Sequence, residues 1–241
     1  MKILDGKKLA QKILKNLKKE IERKKLKLKL AVVLVGDDPD SEIFVKQKRK
    51  ACELVGIDFE LFQFPKRIQQ TELAKKIKEI IKSDISGLVI QLPLPQRINT
   101  DEILSLVPKE KDAESISPVV CAITCLLEEY KISLKNKKII LIGKGRLVGQ
   151  PVSDWLKKQN LVFSGIEDIK QADIIISGTG RPNLIKGEMV KKGAVIIDVG
   201  GDVEFETVSK KASYLTPTPG GVGPMTVACL LHNLVYGFIS F

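Results

Sequence analysis

Short apolar runs rich in β-branched residues alternate along this chain with stretches whose apolar positions recur at helical spacing. This alternation limits the folds available more than any other feature. Leu28 to Val35, Asp58 to Phe64, Ile85 to Gln91, Lys138 to Ile142, Asp173 to Ser177 and Ala194 to Val199 read as strands. Leu9, Ile13, Leu17 and Ile21 recur as one face of a helix; further helices are predicted over Ser41–Val55, ended by Gly56, over Thr71–Lys82 and near Ile123–Tyr130. A strand that is apolar along its whole length is buried on both faces, and parallel strands need helical crossovers to cover them. The pattern therefore predicts an α/β fold with mainly parallel sheets.

At 241 residues the chain can hold one large domain or two small ones, each with its own core. Between Lys111 and Pro118 the periodicity loosens into a charged, serine-containing stretch, and the domain boundary is placed there. This gives one domain over residues 1–115 and a second over 116–225. An apolar C-terminal helix over 226–241 is expected to pack back on the first. No apolar run reaches the roughly 20 residues that span a bilayer, and the first residues lack a secretory pattern, so a cytoplasmic protein without a membrane partner is expected. Cys52, Cys121, Cys125 and Cys229 form no CxxC pair, and His232 is the single histidine. Buried apolar cysteines are expected, with no metal site.

The net charge is +11, and residues 1–30 hold twelve Lys/Arg against three acidic residues. Such a helix suits RNA, a solvated face, or attraction of an anionic small molecule. With 5% aromatic residues there are few platforms for base stacking, so nucleic acid is not the expected partner. A non-catalytic RNA-binding protein stays as the remote alternative.

Four places carry chemistry. Lys48 projects from the centre of an apolar helical stripe that includes Phe44, Val45, Ala51, Cys52 and Val55. A lysine there either snorkels from the helix edge or sits desolvated, with its pKa lowered toward a range useful for proton transfer. Gln91-Leu92-Pro93-Leu94-Pro95 closes a buried strand at its carboxyl end, where α/β sheets bind ligands, or is simply a rigid exit. Gly143-Lys144-Gly145-Arg146-Leu147-Val148-Gly149 follows a strand and opens a helix; its GxGxxxG spacing is a relaxed form of a pyrophosphate-binding turn. Thr216 to Thr226 packs three glycines and three prolines into eleven residues, a loop that lets backbone approach a flat ligand.

With Asp37-Asp38-Pro39, Cys52-Glu53, Lys111-Asp112, Pro151 and Ile197-Asp198-Val199-Gly200 in the same order, these strings resemble the bifunctional methylenetetrahydrofolate dehydrogenase/methenyltetrahydrofolate cyclohydrolase family over nearly the whole chain. The resemblance implies two α/β domains flanking a cleft, the second a Rossmann-like dinucleotide-binding domain. It implies oxidation of methylenetetrahydrofolate to the methenyl cation with NADP, NAD being possible, and hydrolysis to 10-formyltetrahydrofolate. A dehydrogenase with impaired hydrolysis is the alternative. Lys48 matches the family's catalytic lysine and Gln91 its glutamine partner. Phe44, Glu114, Pro219, Gly220, Gly223 and Pro224 match folate-binding positions, and Gly143, Lys144, Gly145, Gly201 and Thr226 cofactor-binding ones. The resemblance also implies a homodimer and a folate substrate that can carry a polyglutamate tail.

The departures are specific. Phe44 replaces a tyrosine, Glu114 stands near an aspartate and is followed by Ser115 instead of glycine, and a stretch usual after that aspartate is missing. Lys144 replaces arginine, Gly145 replaces serine, Gly201 stands where isoleucine is usual, and the His-Ser-Arg-Thr string expected near Phe163–Glu167 is absent.

Overall fold

The computed structural model describes residues 1–237. In chain order the elements are β1 (Lys2–Ile3), α1 (Gly6–Lys24), β2 (Lys29–Val35), α2 (Pro39–Val55), β3 (Asp58–Phe64), α3 (Gln70–Ile81) and β4 (Gly87–Ile90). They continue with α4 (Thr100–Ser105), α5 (Pro118–Glu129), β5 (Ile139–Ile142), α6 (Gly149–Lys158), β6 (Phe163–Ser164) and β7 (Ile174–Ser177). The last are β8 (Val195–Asp198), α7 (Phe205–Val208), β9 (Tyr214–Leu215) and α8 (Val222–Tyr236). The chain divides into two compact units: Lys12–Ile116 with 230–237, called here the lysine unit, and Met1–Gln11 with Ser117–Cys229, the glycine-turn unit.

The lysine unit is built on a three-stranded parallel sheet in the order β3-β2-β4. Strand β2 is central and buried from Leu30 to Val35, as its unbroken apolar run requires, whereas β3 alternates toward solvent as an edge strand. Leu73, Ile77 and Ile80 of α3 pack with Val33, Leu88 and Ile90 into one core. Helix α2 starts where Asp38 accepts a hydrogen bond from the Ser41 N–H, Pro39 supplies the first turn, and Asp40 and Glu42 face the positive end of the dipole. It stops at Gly56, whose left-handed φ of 82° lets its N–H reach the Cys52 carbonyl. Because β2 lies between β3 and β4, the chain turns in opposite directions at its carboxyl end, the place where α/β sheets leave room for a ligand. A bridge between Leu88 and Asp112 brings the 111–114 segment alongside β4, and the Asn233 side chain ties it down by donating to the Ile116 carbonyl at 3.0 Å.

The glycine-turn unit carries a six-stranded parallel sheet in the order β1-β9-β8-β7-β5-β6. Its switch point lies between β5 and β7, beyond their carboxyl ends. Ile140, Ile175, Ile196 and Leu215 form the centre of its core. The first residues group with this unit and not with the stretch that follows them. Lys2 N–H donates to the Ser213 carbonyl at 2.7 Å and Leu4 N–H to that of Leu215 at 2.9 Å, which makes β1 an edge strand beside β9.

The C-terminal helix begins at Val222, four residues earlier than its apolar periodicity indicates, so Gly223, Pro224 and Thr226 belong to its first turns. Pro224 does not block the start, because the first N–H groups of a helix have no intrahelical partner. Residues 238–241 of the helix expected from the sequence lie outside the described residues. Among the described residues no helix is long and apolar enough to cross a membrane.

Candidate active site

Helix α2 buries Ser41, Val45, Lys48, Ala51, Cys52 and Val55 on one face. Lys48 is only 7% exposed, so the open choice between a snorkelling and a desolvated lysine resolves to the latter. Its Nζ donates to Gln91 Oε1 at 2.7 Å. The orientation of that amide is set from behind: Gln91 Nε2 donates to the Leu92 carbonyl at 2.9 Å, leaving the oxygen aimed at the lysine. Ser41 Oγ donates to the same carbonyl at 3.3 Å, which joins the start of α2 to the exit from β4. Glu114 Oε1 stands 4.0 Å from Lys48 Nζ.

Burial holds the Lys48 ammonium below the ordinary lysine range, and the Glu114 carboxylate pulls it partly back. A neutral amide cannot repay the desolvation of a full charge, so a lysine held mainly by Gln91 gives up its proton more readily than one in water. Burial likewise raises the Glu114 carboxyl above the usual range, Lys48 opposing it and Asp112 adding to it. Glu114 is positioned by its own N–H, which donates to Asp112 Oδ1 at 2.9 Å. Phe44, one turn before Lys48, does not join the buried stripe: it is 42% exposed, an aromatic face turned outward. A cavity of about 650 Å³ opens beside the end of β2 between Gly36, Asp37, Lys66, Pro93 and Arg97; neither Lys48 nor Gln91 lines it.

In the glycine-turn unit the site is made by backbone. Gly143 follows β5 with φ 111°, and a Cβ there would stand 2.7 Å from the Gly178 carbonyl oxygen beyond β7, so only glycine closes the switch point this tightly. Lys144 and Gly145 are exposed on the turn before α6, and a Cβ on Gly145 would meet nothing within 4 Å. The turn thus combines a close-packed base with open space above it, the form of a phosphate cradle. Gly201 has φ 75°, a conformation that isoleucine would rarely adopt, and its N–H donates to Asp198 Oδ1 at 2.8 Å. Pro219 is exposed, Gly220 has φ 113°, and Thr226 Oγ1 donates to the Val222 carbonyl at 3.0 Å.

Two buried carboxylates that sequence reading left without a role support these loops. Asp202 accepts from Ser177 Oγ, from the N–H and Oγ1 of Thr179 at 2.8 and 2.9 Å, and from the Arg181 N–H at 2.9 Å. Burial alone would raise its pKa, but these hydrogen bonds carry it below the usual range. Asp198 accepts from the N–H groups of Gly201 and Asp202 at 2.8 and 2.9 Å and from Thr218 Oγ1 at 3.3 Å, so it links the 200–202 turn to the proline-rich loop. The signal available in sequence was two aspartates flanking Gly200-Gly201 at the end of an apolar strand. Structure also brings together three of the cysteines expected to be plain core residues, Cys121, Cys125 and Cys229.

A parallel sheet with a glycine turn at its switch point defines a dinucleotide-binding α/β protein, and the second unit adds a buried lysine–amide pair. Comparison with known proteins narrows this class. Residues 4–114 match the model of the tetrahydrofolate dehydrogenase/cyclohydrolase catalytic domain, and residues 117–239 that of the same family's NAD(P)-binding domain. The bifunctional protein FolD of Nautilia profundicola is 44% identical, covering 100% of this chain and 98% of its own. That match runs over 280 aligned positions, more than the 241 residues here, so the relative carries segments this chain lacks. The FolD methylenetetrahydrofolate dehydrogenase/cyclohydrolase of Campylobacter jejuni superposes with a TM-score of 0.91 at 37% identity, covering 98% of this chain and 97% of its own. The Trypanosoma brucei enzyme, solved with NADP cofactor and an inhibitor, gives 0.89 at 29% identity, covering 95% and 94%. The chain belongs to the tetrahydrofolate dehydrogenase/cyclohydrolase family.

Proposed function

We propose that this protein oxidises methylenetetrahydrofolate to the methenyl cation with NADP and hydrolyses that cation to 10-formyltetrahydrofolate. The observation that carries the reading is the 2.7 Å contact between buried Lys48 and an amide oxygen of fixed orientation, in a chain of this family. Lys48 and Gln91 are the catalytic pair. In its neutral form Lys48 takes a proton from the water that attacks the amidinium carbon, and the new C–O bond discharges the cation; the hydroxyl proton then passes to one ring nitrogen as its C–N bond breaks, the formyl group stays on the other nitrogen, and Lys48 gives its proton to solvent. Gln91 keeps the lysine lone pair aimed, and Glu114 tunes its proton affinity. Phe44 supplies a flat apolar surface for the pterin, and Pro219, Gly220, Gly223 and Pro224 form a loop whose backbone a flat ligand can approach closely.

Gly143, Lys144 and Gly145 hold the cofactor phosphates, Lys144 as a point charge, while Gly201 and Thr226 border the rest. Bound NADP supplies the hydride acceptor. The chain's own contribution to oxidation is placement: folate nitrogen lone pairs stabilise the forming cation only when donor carbon and acceptor are held at near-attack distance. Domain roles follow the same reading, with residues 1–115 and 226–241 serving folate and 116–225 serving the dinucleotide. The product feeds purine biosynthesis, the protein acts as a cytoplasmic homodimer without nucleic acid or membrane, and the basic residues before position 30 attract a polyglutamate tail. A coupled absorbance assay with methylenetetrahydrofolate and NADP or NAD tests this. Reduction of neither cofactor, with a folded protein, overturns it.

A further inference from the structure

Cys121, Cys125 and Cys229 take no part in the folate chemistry, yet the fold gathers them. Cys121 and Cys125 are one turn apart on α5 and so share a face, and Cys229 comes from α8 within the same unit. None of the three is in a disulfide, and their Sγ atoms lie within 4.8 Å of one another. Thiolates bound to zinc at about 2.3 Å in a tetrahedral arrangement stand roughly 3.8 Å apart, so small side-chain rotations bring three sulfurs onto one ion. Among the described residues no carboxylate or imidazole joins the cluster, which favours thiophilic cations over hard ones.

We propose that Cys121, Cys125 and Cys229 form a binding site for a single soft metal ion of the Zn(II) and Cu(I) class. Cys121 and Cys229 are 4% and 0% exposed, and Cys125 is partly exposed, so the ion enters from the Cys125 side and an open fourth position faces the same way. Binding exchanges three S–H bonds for three metal–sulfur bonds and releases the protons to solvent. The bound ion pins α5 to α8 just beyond the helix turns that carry Gly223, Pro224 and Thr226.

The test is to titrate the reduced, metal-free full chain with Zn(II), and separately with Cu(I), each against a chromogenic chelator. Co(II) serves as the spectroscopic probe. One equivalent should bind, with sulfur-to-cobalt charge-transfer bands, and thermal unfolding should shift upward. Cys125→Ser changes the most exposed ligand, and circular dichroism checks its fold; it should weaken binding by about a hundredfold and remove the bands. Tight one-to-one binding of either ion that depends on Cys125 supports the site. Absence of binding by the reduced chain, or equal binding by folded Cys125→Ser, overturns it.

Discussion

Around Lys48 the geometry is carried by side chains: an amide turned by one backbone carbonyl, a lysine held against it, and a carboxylate at the edge. Beyond β5 it is carried by side chains that are missing, where Gly143 lets two loops meet and Gly145 leaves space. The first arrangement suits proton transfer, which needs a group of tuned pKa at a defined atom. The second suits holding a large anion, which needs many N–H groups and no obstruction. One family chemistry thus rests on two kinds of precision, and substitutions should separate them.

The largest expected effect is on the side-chain site. Lys48→Met should slow hydrolysis of methenyltetrahydrofolate by about 10²- to 10⁴-fold, the range for loss of a general base, while hydride transfer falls far less. Stopped-flow rates for both steps check this, and hydrolysis at the parental rate would show that Lys48 is not the base. Gly143→Ala attacks the other site. Its Cβ would meet the Gly178 carbonyl at 2.7 Å in a left-handed backbone, so NADP affinity should fall by roughly 10- to 100-fold, the scale of stored backbone strain, with hydrolysis unchanged. Gly145→Ala meets nothing within 4 Å and should leave the fold untouched. Equal loss of thermal stability in both variants would erase the distinction between base and opening of the turn.

Lys144→Arg comes next. A lysine gives a 2′-phosphate one charge, whereas arginine adds a bidentate contact, so the preference for NADP over NAD should rise about tenfold, read as the ratio of kcat/KM values. Phe44→Tyr adds a hydroxyl one helical turn before Lys48; a side-chain rotation that lets it bond the lysine should speed hydrolysis by about 1 kcal/mol, roughly fivefold, more than oxidation. Equal changes in the two rates would remove the link between that hydroxyl and lysine orientation.

The smallest effect is a displacement of pH dependence. Hydrolysis needs neutral Lys48, so its rate climbs as pH rises through the lysine pKa, which burial has lowered. Glu114 raises that pKa, so Glu114→Gln should move the acid limb to lower pH, by less than about one unit for a partly exposed pair 4.0 Å apart. A limb that moves to higher pH, or not at all, would mean that Glu114 does not act on Lys48 by charge.

Strand β2 announces itself because every residue from Leu30 to Val35 is apolar, and α2 because Asp38, Pro39 and Gly56 punctuate it. Lys48 stands out for the same local reason, a cation inside an apolar stripe. The two-residue strands β1, β6 and β9 have no periodicity to read; they exist because neighbouring strands offer unpaired groups at the sheet edge. Phe44 looks like a core residue by its position in the stripe, yet it is 42% exposed while Ser41 and Val45 beside it on α2 are buried.

By itself the sequence determined the alternation of elements, the caps, the glycine turn after β5 and the identity of the lysine. All of these follow from period, propensity and conformational freedom within a few residues. Only the tertiary structure decided that Gln91, 43 positions away, presents its oxygen to Lys48, that Asp198 and Asp202 brace the 179–181 and 200–202 turns, and that Cys229 joins Cys121 and Cys125. Such meetings depend on strand order and on how helices pack over a sheet. Neither leaves a trace in local periodicity, because the free energy that favours them appears only when distant segments close on one another.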